Sequence, residues 1–509
     1  MKENLFQDIF VFDLANNHQG QVEHGKNIIN AVGEKVQKWG VNGVMKFQYR
    51  QLDSFIHPDH QQNSEEKYVQ RFQGTRLNQK ENKELFTAAK SAGLKTMCTP
   101  FDEESVEVIV DTGFDYIKVA SCSAKDWPLL EKIASATMPV VFSTGGLELA
   151  DIDNLVSFFE HRGVPSAIMH CVSIYPTPAD GCHLNHIDLL RNRYRKHTIG
   201  WSTHEDPNDT APVMIAMAKG ARMFERHVGL VTEEISLNAY SSTPEQVDKW
   251  LEAYVHAKTL CGSSDGKVIE KDEAESLEAL SRGVYAKRDL DAGARLIQDD
   301  VYFAMPYKKG QLSSGSWMPN METKQALKAN ESIDVETVDQ PSPPEYAVLK
   351  TAIHEIKALL NEARVELNSE FDLEFSHHYG KEKFREIGTT IINCINREYC
   401  KKILIQLPGQ RHPAHFHKRK EETFQILYGV LESEIDGLHR ILYPGQTVLI
   451  QPGTWHNFWS ESGCVFEEVS TTHFNNDSVY NDRIINNMDR SERKTQVTHW
   501  GRFELVDSA

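Results

Sequence analysis

The sequence lacks any apolar stretch as long as the roughly 18 residues that a membrane-spanning helix needs. It also lacks the marks of a secretory leader, because residues 1–4 pass straight into a strand-like run without an apolar core. Its eight cysteines form neither a CxxC pair nor a dense framework, which excludes a disulfide scaffold and favours reduced thiols. We therefore predict a soluble, cytoplasmic protein without a membrane partner.

Basic residues are outnumbered by acidic ones. The 509 residues include 73 Asp and Glu against 55 Lys and Arg, which gives a formal net charge of −18. Such an acidic chain is a poor match for nucleic acid or an anionic membrane surface, so neither is predicted as a partner. With 40% hydrophobic residues over this length, the chain is expected to form two to four domains, each with its own core.

Short apolar runs recur through the first part of the chain, with helix-like stretches between most of them. Eight runs in this arrangement predict an α/β fold, the (β/α)8 or TIM barrel. The runs are residues 9–14, 44–48, 96–98, 116–119, 140–143, 167–170, 198–200 and 223–225.

Polar residues lie at or just past the ends of these runs, which is the end of the strands where such barrels build active sites. They are Asp13, Lys46, Thr99, Lys118, Ser143, Tyr175, Ser202, His204, Glu225 and His227. Buried ammonium groups need anions, so Lys46 and Lys118 predict a phosphate or carboxylate substrate. Ion pairs with Asp13 or Glu225 are the structural alternative for both lysines.

Two of these residues, His204 and His227, follow neighbouring runs and have carboxylates close by in the sequence. Neutral imidazole nitrogens are good ligands for divalent metals, and two of them can converge on one ion. A lone histidine would more often be structural. The pair therefore favours a metal site in the barrel.

The rest of the chain divides at polar and proline-rich breaks. A glycine-containing break at residues 261–266 ends the first predicted domain, residues 1–262. A compact β-rich unit is predicted at residues 280–338, and a stiff proline-rich linker follows at residues 339–344. Beyond an amphipathic helix, alternating patterns and regular turns predict an all-β third domain, residues 346–509.

Eight strings within residues 5–260, taken in their order and spacing, resemble the sialic acid synthase family. They are DLANNHQG at 13–20, KFQ at 46–48, TPF at 99–101, Lys118, STG at 143–145, HCVSIYPTP at 170–178, GWSTH at 200–204 and ERH at 225–227. Residues 281–338 likewise resemble the antifreeze-like (SAF) domain of these synthases. In the family, that domain reaches over the active site of a partner subunit.

This resemblance implies condensation of phosphoenolpyruvate with an open-chain aldose, which gives a 3-deoxy-2-ulosonic (nonulosonic, sialic acid-like) acid and phosphate. It implies Mn²⁺ or Mg²⁺ on His204 and His227, and proton handling or sugar orientation by Asp13 and Glu225. It also implies a homodimer with the SAF domain swapped over the partner's site. The residues it assigns to binding phosphoenolpyruvate and the sugar or sugar phosphate are Lys46, Thr99, Lys118, Ser143, Tyr175 and Ser202.

Three positions depart from the family pattern. Asp13 replaces the usual Glu, and Ser173 replaces an Asn. Met305 stands where the family has an arginine that contacts the N-acyl group of the amino sugar, and a thioether cannot replace a guanidinium there. We therefore expect an acceptor aldose without an N-acetyl group.

A histidine-rich segment and the turns after it, residues 409–456, resemble a cupin. His415 and His417 lie two residues apart on a predicted strand and point the same way, while Glu422 and His456 arrive from neighbouring strands. Three imidazoles and one carboxylate make a site for Zn²⁺, Mn²⁺, Fe²⁺ or Ni²⁺.

Among cupins, residues 395–485 resemble D-lyxose and mannose isomerases. An aldose–ketose isomerase needs a metal to hold the sugar oxygens and groups to shuttle a proton, for which Lys420 and Glu468 are the candidates. A cupin that only binds sugar, or an epimerase, is the alternative within this domain.

The combined prediction is a bifunctional enzyme whose cupin makes, from a ketose, the aldose that the barrel joins to phosphoenolpyruvate. Whether that aldose is phosphorylated is left open. One alternative is a conventional N-acetylneuraminate or legionaminate-type synthase with a non-catalytic, sugar-binding cupin. Another is a carbohydrate-sensing regulatory protein with a degenerate barrel, but the intact Lys46, Lys118, His204 and His227 favour catalysis.

Overall fold

A computed structural model describes residues 5–62, 64–263, 266–341, 345–367, 371–498 and 500 of the protein. The chain forms two compact units, Met1–Val268 and Ile269–Ala509. Parts of the predicted breaks, residues 264–265 and 342–344, lie outside the described residues. Within the described part, no helix combines the length and apolar character needed to cross a bilayer.

The first unit contains the predicted barrel. Its eight strands pair in parallel in chain order, and the last pairs back onto the first, so the sheet closes. The strands are β1 Ile9–Asp13, β2 Asn42–Tyr49, β3 Lys95–Pro100, β4 Tyr116–Val119, β5 Val140–Ser143, β6 Ser166–Cys171, β7 Ile199–Ser202 and β8 Met223–His227.

Ten α-helices accompany the strands in the described part of this unit, and several begin at residues suited to helix termini. Asn78 and Glu81 form a capping box, as do Thr243 and Gln246, so each pair satisfies free backbone N–H groups of the first turn. The helices are α1 Val22–Trp39, α2 Leu52–Phe55, α3 Lys67–Gly74, α4 Gln79–Ser91, α5 Glu103–Thr112, α6 Trp127–Ser135, α7 Leu149–His161, α8 Asn185–Arg193, α9 Ala211–Ala218 and α10 Pro244–Cys261.

The second unit begins with α11 Lys271–Ala279 and a small β-rich region. Two two-stranded antiparallel sheets, β9 with β10 and β11 with β12, accompany a separate apolar core that includes Val284, Leu296 and Leu312. The β-rich character agrees with the sequence, while the assignment as a SAF domain stays a prediction. The strands are β9 Gly283–Ala286, β10 Val301–Ala304, β11 Glu322–Thr323 and β12 Val338–Asp339.

The rest of this unit is helix α12 Glu345–Ala363 followed by two antiparallel sheets. Their strands are β13 Asp372–Ser376, β14 Thr389–Asn396, β15 Tyr399–Gln406, β16 Gln410–His417, β17 Glu422–Gly429, β18 Leu431–Ile435, β19 Leu438–Leu442, β20 Thr447–Ile450, β21 His456–Ser460, β22 Cys464–Thr471, β23 Ser478–Tyr480 and β24 Lys494–Thr498, with helices α13 Arg483–Asn487 and α14 Arg490–Arg493. The sheet orders are β20-β17-β22-β15-β14-β13-β24 and β19-β18-β21-β16-β23. The predicted all-β C-terminal region is therefore confirmed.

The barrel interior sets a first stability prediction. A Cβ on Gly200 in β7 would press on Met169 Sδ and lie 2.7 Å from the carbonyl oxygen of Met223, so Gly200→Ala forces the closed sheet to shift. We expect the free energy of unfolding of the first unit to fall by about 1–3 kcal/mol. Gly74→Ala is the control, because its Cβ meets no atom within 4 Å. Urea unfolding followed by tryptophan fluorescence measures both, and equal stabilities would contradict this packing.

Candidate functional site

The alternation of side chains along the barrel strands explains where the ionisable residues lie. On six of the eight strands, an inward apolar residue is followed two positions later by an inward polar residue, because side chains of a strand alternate between its faces. The apolar layer includes Val11, Val44, Met97, Tyr116, Val141 and Met223. The polar layer at the carboxyl end includes Asp13, Lys46, Thr99, Lys118, Ser143, Ser202 and Glu225, all buried.

Glu225 is at the centre of this polar layer. Its Oε1 lies 2.7 Å from Lys46 Nζ, and its Oε2 lies 3.5 Å from Lys118 Nζ. Lys46 Nζ also lies 2.8 Å from Asp13 Oδ2. The ion pairs that were the structural alternative for the two lysines are therefore present, and they form one network of two cations and two anions.

Burial opposes ionisation of each member, and the neighbouring charges decide the outcome. Burial raises the pKa of Glu225, but Lys118 and Lys46 outweigh it and hold this pKa well below its usual range. Burial likewise raises the pKa of Asp13, but Lys46 and His227 outweigh this effect and lower the pKa. The pKa of Lys46 is raised by Asp13 and Glu225 against the effect of burial, whereas burial dominates for Lys118 and lowers its pKa.

Three predicted hydroxyl groups line the network. Lys118 Nζ donates to Ser143 Oγ, and Ser202 Oγ donates to Glu225 Oε1 over 3.3 Å. Thr99 Oγ1 is buried and has no hydrogen-bond partner within the described part of the chain. Thr99 and Ser202 are thus brought to the same buried layer as the lysines.

His204 and His227 are also brought together, with ring centroids 5.3 Å apart. His204 Nδ1 donates to the Val172 carbonyl over 3.0 Å, which leaves Nε2 as the acceptor nitrogen of a neutral ring. Burial lowers the pKa of His204 to about 3 and also lowers that of His227. Tyr175 lies beyond β6 and is 52% exposed, yet its ring packs 4.2 Å from His204.

The second unit contains a tighter group of candidate metal ligands. One ligand atom each from His415, His417, Glu422 and His456 lies within 4.8 Å of the others, and all four side chains are buried. His415 and His417 share β16, and His456 pairs with His415 from β21. Among the described residues, this is the one group of three or more such side chains.

The hydrogen bonds of these residues fit a metal ion. His415 Nδ1 donates to the Pro413 carbonyl and His456 Nδ1 to the Thr454 carbonyl, each over 3.1 Å, so Nε2 of each ring is left to bind a metal. Glu422 Oε1 lies 2.9 Å from His456 Nε2, and neither atom has a hydrogen-bond partner in the described chain. Two acceptors at this distance favour a cation between them.

Lys420 and Glu468 lie directly beside this group. Lys420 Nζ is 2.5 Å from Glu422 Oε2 and 2.9 Å from Glu468 Oε1. Burial raises the pKa of Glu468, but Lys402 and Lys420 outweigh it and lower this pKa to about 2. The pKa of Lys420 is raised against burial by Glu422 and Glu468. The pair is therefore ionised at neutral pH.

Sequence reasoning missed several residues of this cavity. Lys402 Nζ lies 3.2 Å from Glu468 Oε1 and 3.3 Å from His473 Nδ1. Lys494 lines the same cavity and donates to Glu374, a buried carboxylate. The cavity thus holds three lysines and not the one that was predicted.

A signal for some missed residues was present in the sequence. Lys402 shares the inner face of β15 with Leu404, and a lysine at an inward position of an alternating strand is a candidate site residue. Gln48 lies two residues after Lys46 on β2 and donates to Asp13 Oδ2 over 3.2 Å. Lys494, by contrast, follows no regular pattern that marks its strand.

Comparison with known proteins agrees with both units. A model described as the NeuB family matches residues 34–265, and a model of the cupin domain matches residues 403–467. The chain is 27% identical over 333 residues to an N-acetylneuraminate-9-phosphate synthase of Drosophila melanogaster, covering 58% of this chain and 87% of that protein. It is 25% identical over 310 residues to an N,N'-diacetyllegionaminic acid synthase of Legionella pneumophila, with 57% and 83% covered.

A solved structure extends the likeness. Spore coat polysaccharide biosynthesis protein E from Chromobacterium violaceum is 44% identical, and the match covers all of that chain and 66% of this one with a TM-score of 0.64. The polar layer, its strand positions and these relatives lead to one assignment. The chain belongs to the NeuB family of sialic acid synthases and carries a cupin domain in addition.

Proposed function

We propose that the barrel joins phosphoenolpyruvate to the aldehyde of an open-chain aldose, forming a 3-deoxy-2-ulosonic acid and phosphate. The observation that carries this proposal is the buried network of Lys46, Lys118, Asp13 and Glu225 at the carboxyl end of the barrel. Relatives named as sialic and legionaminic acid synthases support the same reaction class.

The network supports binding of a small, highly charged anion. Each ammonium has three N–H donors, and Lys46 directs two of them at Asp13 and Glu225. The phosphate and carboxylate of phosphoenolpyruvate accept hydrogen bonds from the remaining N–H donors of the two lysines. They also accept hydrogen bonds from the hydroxyl groups of Thr99, Ser143 and Ser202. Glu225 holds both lysines charged and in place before the substrate arrives.

Carbon–carbon bond formation needs a polarised aldehyde and an enol carbon beside it. His204 and His227 would hold a divalent metal, Mn²⁺ or Mg²⁺, which would supply Lewis acidity at the aldehyde. C3 of phosphoenolpyruvate then attacks the aldehyde carbon, water adds to C2, and phosphate leaves. Asp13 Oδ2, which lies 3.5 Å from His227 Nδ1 and accepts from Gln48, orients the acceptor and takes up a proton.

The first functional prediction concerns this metal. His204→Ala or His227→Ala should lower the rate of phosphate release from phosphoenolpyruvate and mannose at least about 100-fold, because Lewis acid stabilisation is lost. His161→Ala, at an exposed histidine of α7, is the matched control. Full activity of chelated, metal-free protein would overturn the metal assignment.

The region of residues 280–338 is proposed to act as a SAF domain that reaches the active site of the partner in a homodimer. Met305 in this region is 55% exposed, as a residue that contacts a ligand of another subunit would be. Because a thioether offers no donor to an N-acyl oxygen, the acceptor is proposed to be an unsubstituted aldose.

The second prediction follows from Met305. Mannose should exceed N-acetylmannosamine in kcat/KM, and Met305→Arg should shift the ratio toward N-acetylmannosamine by about tenfold. Val335→Arg adds the same charge at another exposed site of the region and should not move the ratio. A wild-type preference for N-acetylmannosamine would exclude this role.

The cupin is proposed to isomerise a ketose to the acceptor aldose. His415, His417, Glu422 and His456 would hold a metal, which would supply Lewis acidity at the sugar carbonyl. Glu468, which is ionised, takes the proton from C1 of the ketose and returns it to C2, while the proton of the C1 hydroxyl moves to the C2 oxygen through Lys420, whose Nζ lies 2.9 Å from Glu468 Oε1.

One observation favours the rival function, in which the cupin is not catalytic. The cavity at the metal ligands measures about 40 Å³, which is room for an ion and a few water molecules. A sugar would enter only if the side chains around the cavity move apart. The two functions therefore differ in whether the cupin turns over any ketose.

The third prediction separates them. Fructose plus phosphoenolpyruvate should yield ulosonic acid without added isomerase, and His417→Ala should lower this rate at least about 100-fold while condensation of supplied mannose continues. His439→Ala, at an exposed histidine of β19, is the control. Conversion of fructose at the wild-type rate by His417→Ala would exclude the cupin as isomerase, and no conversion by wild type would favour the rival.

A further inference from the structure

A large cavity opens next to the polar layer of the barrel. Its volume is about 650 Å³, within the range of small-molecule sites. Gln48, which contacts Asp13, forms part of its wall. The cationic side chains in the wall are Arg50, Arg76, Lys80 and Lys83, against one acidic side chain, Asp111. This charge contrasts with the net −18 of the chain.

Arg50 is the innermost of these cations. Its guanidinium carbon lies 3.5 Å from the ring centroid of Phe101 and 4.0 Å from that of Phe72, so the rings hold the planar group between them. Nη2 donates to Gln48 Oε1 over 3.2 Å. Nε is buried and has no hydrogen-bond partner in the described chain. Burial lowers the pKa of Arg50 to about 10, which leaves it cationic at neutral pH.

A fixed guanidinium with unused donors is suited to a planar or tetrahedral oxyanion. An unmet buried donor costs free energy that such a ligand would recover. The aromatic rings block both faces of the group, so an anion approaches its edge. In contrast, Arg76 is already paired with Asp53, with N–O distances of 2.6 and 2.8 Å, and is exposed.

Arg50 is also placed at a suitable distance from the reacting centre. Lys46 and Gln48 lie on the same side of β2, and Arg50, which directly follows this strand, lies on that side as well because it donates to Gln48. Four residues of extended chain span about 13 Å. An open-chain sugar whose aldehyde lies near Lys46 can reach Arg50 with a group at its far end.

We infer that this cavity binds a phosphate monoester at the end of the acceptor sugar remote from the aldehyde, with Arg50 as the binding residue and Lys80 and Lys83 at the rim. The acceptor is then an aldose phosphate. This inference rests on the proposed condensation for the choice of ligand, while the cavity, its charge and the unused donor of Arg50 are independent of it.

The test compares mannose 6-phosphate with mannose in two assays, phosphate release with phosphoenolpyruvate and calorimetric binding without it. Wild type should favour the phosphate ester, and Arg50→Gln should reduce the ratio of kcat/KM values and the affinity for mannose 6-phosphate by about 30-fold, as expected for lost charged hydrogen bonds. Arg162→Gln is the matched control, because Arg162 also stacks on a phenylalanine and pairs with Glu131 but does not line the cavity.

The two assays separate the possible failures. Binding of mannose 6-phosphate that depends on Arg50 without turnover of any aldose would refute the condensation and support the subsite. Turnover with equal kcat/KM for both sugars would support the condensation and overturn the subsite. Should Arg50→Gln fail to fold, the exposed pair Lys80→Gln and Lys83→Gln should still reduce the ratio by about three- to fivefold, and an unchanged ratio would overturn the assignment.

Discussion

The burial of charge at the carboxyl end of the barrel is the constraint on which the first unit depends. Glu225 on β8 contacts Lys46 on β2 and Lys118 on β4, so the three charges come from strands that are distant in the sequence and meet only across the interior. An ammonium or carboxylate left alone there would cost several kcal/mol. The polar layer is thus stable only when all eight strands are closed, and barrel closure and site assembly are one event.

The regular parts of the fold could be predicted because their signals are local. Alternation along short runs marks the barrel strands, and the spacing of Leu349, Ile353, Ile356 and Leu360 marks the buried face of α12. The His415 and His417 pair could be predicted for the same reason, since one strand presents both side chains to one side.

The partners of the charged residues could not be predicted in the same way. The sequence left Asp13 and Glu225 as alternative ion-pair partners of each lysine, whereas closure of the barrel places Glu225 beside both Lys46 and Lys118. Arg50 gains its role from Phe72 and Phe101, which reach it from other segments. Lys494 enters the cupin cavity because β24 pairs with β13, more than a hundred residues earlier in the chain.

The pairing of β24 with β13 has a consequence for the order in which the protein matures on the ribosome. Every strand of the barrel is present once residue 227 has been made, so the first unit can close while the remainder is still being synthesised. The cupin sheet is complete only after residues 494–498 have been made. Asp477, which accepts hydrogen bonds from the backbone N–H groups of Arg419 and Lys420, is made shortly before them. Assembly of the candidate metal site in the cupin therefore follows closure of the barrel during synthesis.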